Sequence, residues 1–159
     1  MNEQFTFFWS GPFTQWHRSP FEIDGIWYNC AEQYMMAEKA RMFGDTEMES
    51  RIMTAIEPAD QKRYGRQVKG FDLKKWNATA REIVYRGSYA KYTQNPKLKE
   101  NLLKTAGTTL VEASPHDKIW GIGLHKTDHR CKNRETWQGS NWLGEVLTKV
   151  REKITDENK

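Results

Sequence analysis

Cysteine is scarce in this chain. Cys30 and Cys131 are the only two among 159 residues, too few for a disulfide framework, and a reducing, cytoplasmic setting is expected. Long apolar runs are missing as well. None approaches the ~18 residues of a membrane span, so no membrane partner is expected. The start, Met1-Asn2-Glu3-Gln4, lacks the basic stretch and apolar core of a secretory signal. No Gly-x-Gly-x-x-Gly opens a helix, which excludes the usual dinucleotide fingerprint. Repeats, low-complexity tracts and linkers are also absent. The length suits one domain, with a core from about residue 7 to 151 and a short tail over 154–159.

What the chain does have is aromatic and charged. Hydrophobic residues make up 37% and charged residues 29%, a balance that folds rather than stays disordered. Seven tryptophans are many for this length. Each needs a partner for its N–H when buried, so some are expected to line a pocket. The net charge of +4 is uneven: residues 60–104 hold 12 Lys or Arg against 4 Asp or Glu. A basic middle favours an anionic partner such as a phosphate, and a solvated helix face explains the same residues.

Periodicity and punctuation give the elements. Phe5–Trp9 reads as a strand. Phe21–Tyr28 holds Asp24-Gly25 between apolar flanks, a tight-hairpin signal. A helix is predicted from Asn29, capped by that residue with Glu32 completing a capping box, to about Phe43 before Gly44. Asp45 caps a second helix, Pro58 opens a third that stops at Gly65, and Asp72 caps the longest. In that longest helix Leu73, Trp76, Ala80, Ile83, Gly87 and Ala90 form the inward face. Asn95-Pro96 starts another helix with Leu98, Leu102 and Leu103 inward, residues 108–113 form a strand, and Ser140 caps a last helix. The fold class is α+β, a compact single domain, mostly helical with a small β-sheet.

Four places can carry chemistry. Glu32 and Lys39 lie two helical turns apart on one face, about 10 Å along the axis, and one substrate can touch both. The helix dipole favours an ionised Glu32, which suits a base or a cation stabiliser. The same spacing also fits a capping glutamate and a surface lysine. In the segment from Glu112 to Gly123, Asp117 can orient a water or a sugar hydroxyl. Trp120 can stack on a ring there, and Gly121 and Gly123 can let backbone approach a ligand. A capped turn with a core tryptophan fits that segment equally. Ser140 and Asn141, at a helix start near glycines, can offer N–H groups to a phosphate or serve as a plain N-cap. His125, His129 and Cys131 have the residue types of a zinc site, but no fourth ligand stands out and no metal is expected. Nothing marks either cysteine as an activated nucleophile.

Taken together, these segments resemble the NADAR (YbiA-like) N-glycosidase family, from about Phe7 to Arg151. The matching pieces occur in order. They are Phe8-Trp9-Ser10, the Phe21–Tyr28 hairpin, Ala31-Glu32-Gln33-Tyr34 with Ala37 and Lys39, Gly65-Arg66, and Trp76 after Lys74-Lys75. Then come Ala90-Lys91-Tyr92, Leu110 to Ala113, Asp117 to Gly123, and Gly139 to Gly144. Three departures stand out. Gln33 replaces a common His, Met36 replaces a common Gln, and Ser10-Gly-Pro replaces a Ser-Asn-aromatic start.

The resemblance implies hydrolysis of a ribose C1′–N bond. One branch resembles enzymes acting on ribosylamino-pyrimidine phosphates, intermediates of riboflavin synthesis. Another removes ADP-ribose from guanine in nucleic acid. It implies Glu32, Lys39 and Asp117 as catalytic residues, and Tyr34, Arg66, Trp76, Trp120, Gly121, Gly123 and Asn141 as substrate contacts. It implies no cofactor. The partner is a small phosphorylated ribosylamine or an ADP-ribosyl substrate, ADP-ribosylated nucleic acid included; the oligomeric state is not readable. A module that binds ADP-ribose or NAD without cutting it fits the same residues. A nucleic-acid binder using the basic middle lacks the usual motifs.

Overall fold

In the computed structural model, which describes residues 3–159, the contacts of the chain divide into two compact units. One is Gln15–Asn95. The other combines the chain up to Thr14 with Pro96–Lys159. The first two residues of the expected leaderless start lie outside the described residues. No described helix is long and apolar enough to cross a membrane.

The Gln15–Asn95 unit is a hairpin and four helices. Strands β1 (Phe5–Phe8, in the other unit), β2 (Phe21–Ile23) and β3 (Ile26–Tyr28) come first in the chain, and β2 pairs antiparallel with β3. Asp24 and Gly25 both have positive φ, as the tight turn between them requires. Helix α1 (Ala31–Met42) follows, then α2 (Thr46–Thr54), α3 (Pro58–Gly65) and α4 (Leu73–Gln94). Asp45 and Asp72 cap α2 and α4 by accepting from the N–H groups of Met48 and Lys75, as their positions predict.

The start of α1 differs from expectation. Its N-cap is Cys30, whose side chain makes no capping bond, and Asn29 lies outside the helix. Gln33, not Glu32, reaches back: its Oε1 accepts from the Asn29 N–H at 2.8 Å. Asn29 instead spends its own amide on Ile56 and Gln61. The capping box assigned to Glu32 is therefore not formed. Residues 31–37 of α1 are all buried, and Tyr34 packs edge-on to Tyr28 and Phe21. Gly87 of α4 admits the Tyr34 ring, because a Cβ there would lie 2.7 Å from it. At the start of α4 the inward face begins at Trp76. Leu73 is exposed, since one residue past the cap it precedes the first turn that packs.

The second unit is built on β1 and β4 (Thr109–Glu112), which pair in parallel with Phe5 opposite Thr109. Helices α5 (Pro96–Leu103) and α6 (Trp142–Glu157) flank them in sequence. The other edge of β4 is satisfied by α6 side chains. Thr148 Oγ1 accepts from the Leu110 N–H at 3.0 Å. Asn141 Oδ1 accepts from the Glu112 N–H and its Nδ2 donates to the Leu110 carbonyl, each at 3.0 Å. Asn141, left-handed at φ 53°, rather than Ser140, is the N-cap of α6. The helix runs on to Glu157 with Ile154 buried, so most of the expected tail is helical. Between β4 and α6 the chain is not a simple loop, for residues 129–132 and 134–136 form short 3-10 turns. Val111, Ile122, Leu124 and Cys131 form a core cluster there, with Phe5, Phe7 and Trp137 against it.

Candidate active site

Glu32 sits in the first turn of α1 and is 4% exposed. Its backbone N–H donates to the Gln15 carbonyl at 3.0 Å. Its carboxylate Oε1 accepts from the indole Nε1 of Trp16 at 3.4 Å. Residues 15 and 16 thus hold Glu32 by its backbone and by its side chain at once. Trp16 carries none of the sequence expectations above.

Lys39 follows on the same helix face. Its Nζ lies 4.5 Å from the centroid of the Phe71 ring and 5.8 Å from that of Trp76. Burial lowers its pKa from the ordinary lysine value; the Glu32 carboxylate pulls it back up, and the Arg66 guanidinium pushes it down. Glu32, Lys39, Arg66 and Trp76, four residues expected to share a site, are therefore drawn together in one unit. Phe71 joins them unexpectedly. Met36 lies against Gly65. Tyr34 is 1% exposed and packed among Phe21, Tyr28 and Gly87, and burial raises the pKa of its phenol. It packs α1 against β2, β3 and α4.

Cys30 and Lys91 lie at the base of the same helix. The Cys30 thiol donates to Gln61 Oε1 at 3.2 Å, and burial pushes its pKa up to about 11, so it stays protonated and unreactive. Lys91 is 1% exposed, and burial lowers its pKa to about 7. Its charge is felt at both Cys30 and His17. An unfolded chain holds this lysine near its ordinary 10.5. Between the two values the unfolded chain binds more protons, so stability rises with pH through that window. We expect the Tm of Lys91→Met relative to the parent to be highest at and below neutral pH. The gap should narrow as pH climbs toward 10. Parallel pH–Tm curves for the two proteins would contradict the burial of a titrating amine.

The remaining expected residues belong to the other unit. Asp117 Oδ1 accepts from the N–H groups of Ile119 and Trp120 at 2.9 and 2.8 Å. Trp120 meets Trp142 edge-on at 5.4 Å. Gly121 and Gly123 serve the chain's own turn. A Cβ on Gly121 would crowd Glu112 and the Asp117 carbonyl, and Gly123 has φ +71°. Asn141 is fully buried with both ends of its amide on β4. Asn141→Ala should therefore lower stability by about 2–4 kcal/mol, since it strands buried backbone groups. It should leave KM for any substrate within twofold. A raised KM at unchanged Tm would return Asn141 to the ligand. Cys131 donates to the His125 carbonyl at 2.9 Å, and the His129 side chain is 92% exposed.

The chain is similar to several known proteins. The chain is 43% identical over 129 residues to protein irg-1 of Caenorhabditis elegans, covering 80% of this chain and 61% of that one. It is 45% identical over 125 residues to N-glycosidase R617 of Acanthamoeba polyphaga mimivirus, covering 79% and 74%. It is 39% identical over 107 residues to the chloroplastic riboflavin biosynthesis protein PYRR of Zea mays, covering 65% of this chain but only 15% of that one. The NMR structure of the Escherichia coli protein YbiA superposes with a TM-score of 0.81 at 27% identity, covering 99% of this chain and 89% of that one. The α+β fold is that of YbiA. The NADAR domain model matches residues 5–155, and the chain belongs to the NADAR family.

Proposed function

We infer that this chain is an N-glycoside hydrolase that cuts a ribose C1′–N bond at the Glu32–Lys39 face of α1. The reaction class rests on family membership and on relatives named N-glycosidase. The observation that carries the site is the pairing itself. A buried carboxylate, held by Trp16, shares a helix face with a lysine whose basicity is reduced among Phe71, Trp76 and Arg66.

Cleavage passes through an oxocarbenium-like state, and the ionised Glu32 stabilises the charge at C1′ or draws a proton from water. With a ribosylamine, the sugar ring opens to a C1′=N imine. Neutral Lys39 adds to C1′, the base amine leaves with a proton, and a Lys39–C1′ Schiff base remains. Water then adds to C1′, releasing the sugar and restoring the amine. Arg66, whose charge reaches Lys39, takes the substrate phosphate. Asp117 holds the Ile119–Trp120 backbone through Oδ1.

The substrate we favour is a ribosylamino-pyrimidine phosphate, with an ADP-ribosylated guanine as the other branch. The relation to the maize riboflavin protein supports the first. We place the enzyme in the cytoplasm, in keeping with two free, buried cysteines. Calorimetry with ADP-ribose and NAD, run beside a turnover assay, separates cutting from binding alone. We expect turnover of a ribosylated base. Tight ADP-ribose or NAD binding with no turnover of either substrate class would make the chain a binding module.

A further inference from the structure

Trp16 is 46% exposed, an unusual state for an indole in a segment held this firmly. Its N–H is bonded to the Glu32 carboxylate at 3.4 Å, and the preceding carbonyl takes the Glu32 N–H at 3.0 Å. The ring is therefore joined to the carboxylate through its N–H while much of its surface is open. Lys62 Nζ lies 5.9 Å from the ring centroid. In the reaction assigned to Glu32, the leaving base is bonded to the very carbon that this carboxylate faces. With an exocyclic amine as the leaving nitrogen, the planar ring of the base lies two bonds from that carbon, and a half-open indole is bonded to the same carboxylate.

We propose that the open face of Trp16 is the platform on which the leaving base stacks, with the Lys62 ammonium beside the ring drawing the carbonyl oxygens of that base. The proposal rests on the reading of Glu32 as the carboxylate beside C1′. Base–aromatic stacking tolerates different bases, because each presents a π-face. One indole thus performs two separable tasks: its face selects for a base, and its N–H orients Glu32.

Trp16→Ala and Trp16→Phe separate them. With a ribosylamino-pyrimidine phosphate as substrate, Trp16→Ala should raise KM roughly 5- to 100-fold, the range for one lost stack. Trp16→Phe should restore KM to within about threefold of the parent yet keep a reduced kcat, because a phenyl ring stacks but has no N–H for Glu32. Calorimetry gives a readout that needs no turnover. The parent should bind guanosine 5′-monophosphate more tightly than ribose 5-phosphate, and Trp16→Ala should erase that preference. Unchanged KM and unchanged preference in Trp16→Ala would overturn the proposal, as would equal affinity of the parent for the two probes. If the parent cuts nothing but its preference for the nucleotide still vanishes in Trp16→Ala, the platform stands and the hydrolase reading falls.

Discussion

Glu32→Gln should lower kcat at least ~100-fold, the low end for a lost acid–base group, with little change in Tm. No capping box holds Glu32, and glutamine would serve in one as glutamate does. Instead Cys30 is the N-cap, and Gln33 takes the Asn29 N–H. Glutamine keeps an oxygen to accept from Trp16, so the indole stays in place. What it loses is the negative charge that an oxocarbenium-like state requires. Normal turnover with a lowered Tm would assign Glu32 to folding alone.

Lys39 offers the second large effect. Borohydride added during turnover should reduce the Schiff base and leave the sugar covalently on Lys39, located by peptide mass mapping. Lys39→Met should give no adduct and should lose roughly 100-fold or more in kcat, as for a positioned proton-transfer group. The pH profile supplies an independent check. Only the neutral amine attacks, and burial has lowered its pKa, with Arg66 adding to the shift. Activity should rise with pH on a limb centred below the ordinary lysine value of 10.5. Arg66→Gln removes one of the two causes and should move that limb upward. A saturated enzyme that yields no adduct would leave direct attack by water at Glu32 as the route.

Local signals were legible wherever one residue decides one turn. Asp45, Pro58 and Asp72 start helices as read, and Asp24-Gly25 makes its hairpin. Cap positions shifted where two candidates were adjacent. Asn29 lost to Cys30 because its amide is claimed by Ile56 and Gln61, and Ser140 lost to Asn141 because that amide is claimed by β4. Such claims come from residues distant in sequence, which no local window contains. The β1–β4 pairing joins Phe5 to Thr109 for the same reason without any sequence signal.

The helix-borne half of the site was readable because helical spacing alone puts Glu32 and Lys39 on one face. Trp16 and Phe71 were missed because both lie outside regular elements, where spacing fixes no direction. A trace of Trp16 was available: Thr14-Gln15-Trp16 has the small–amide–aromatic pattern that was sought at Ser10. The Asp117–Gly123 turn and Asn141 carry residue types suited equally to a ligand and to a tight backbone. The hydrogen bonds of Asp117 and Asn141 go to the chain itself.

The most direct measurement is a paired assay on the purified protein without added metal. One reaction receives a ribosylamino-pyrimidine phosphate and the other guanine-ADP-ribosylated DNA, with Glu32→Gln run beside each and products read by mass spectrometry. We expect ribose 5-phosphate and the free amino-pyrimidine from the first, lost in the variant. Release of ADP-ribose from the second alone would keep the C1′–N chemistry and change the substrate. No product from either, or equal product from parent and Glu32→Gln, would contradict hydrolysis at the Glu32–Lys39 site.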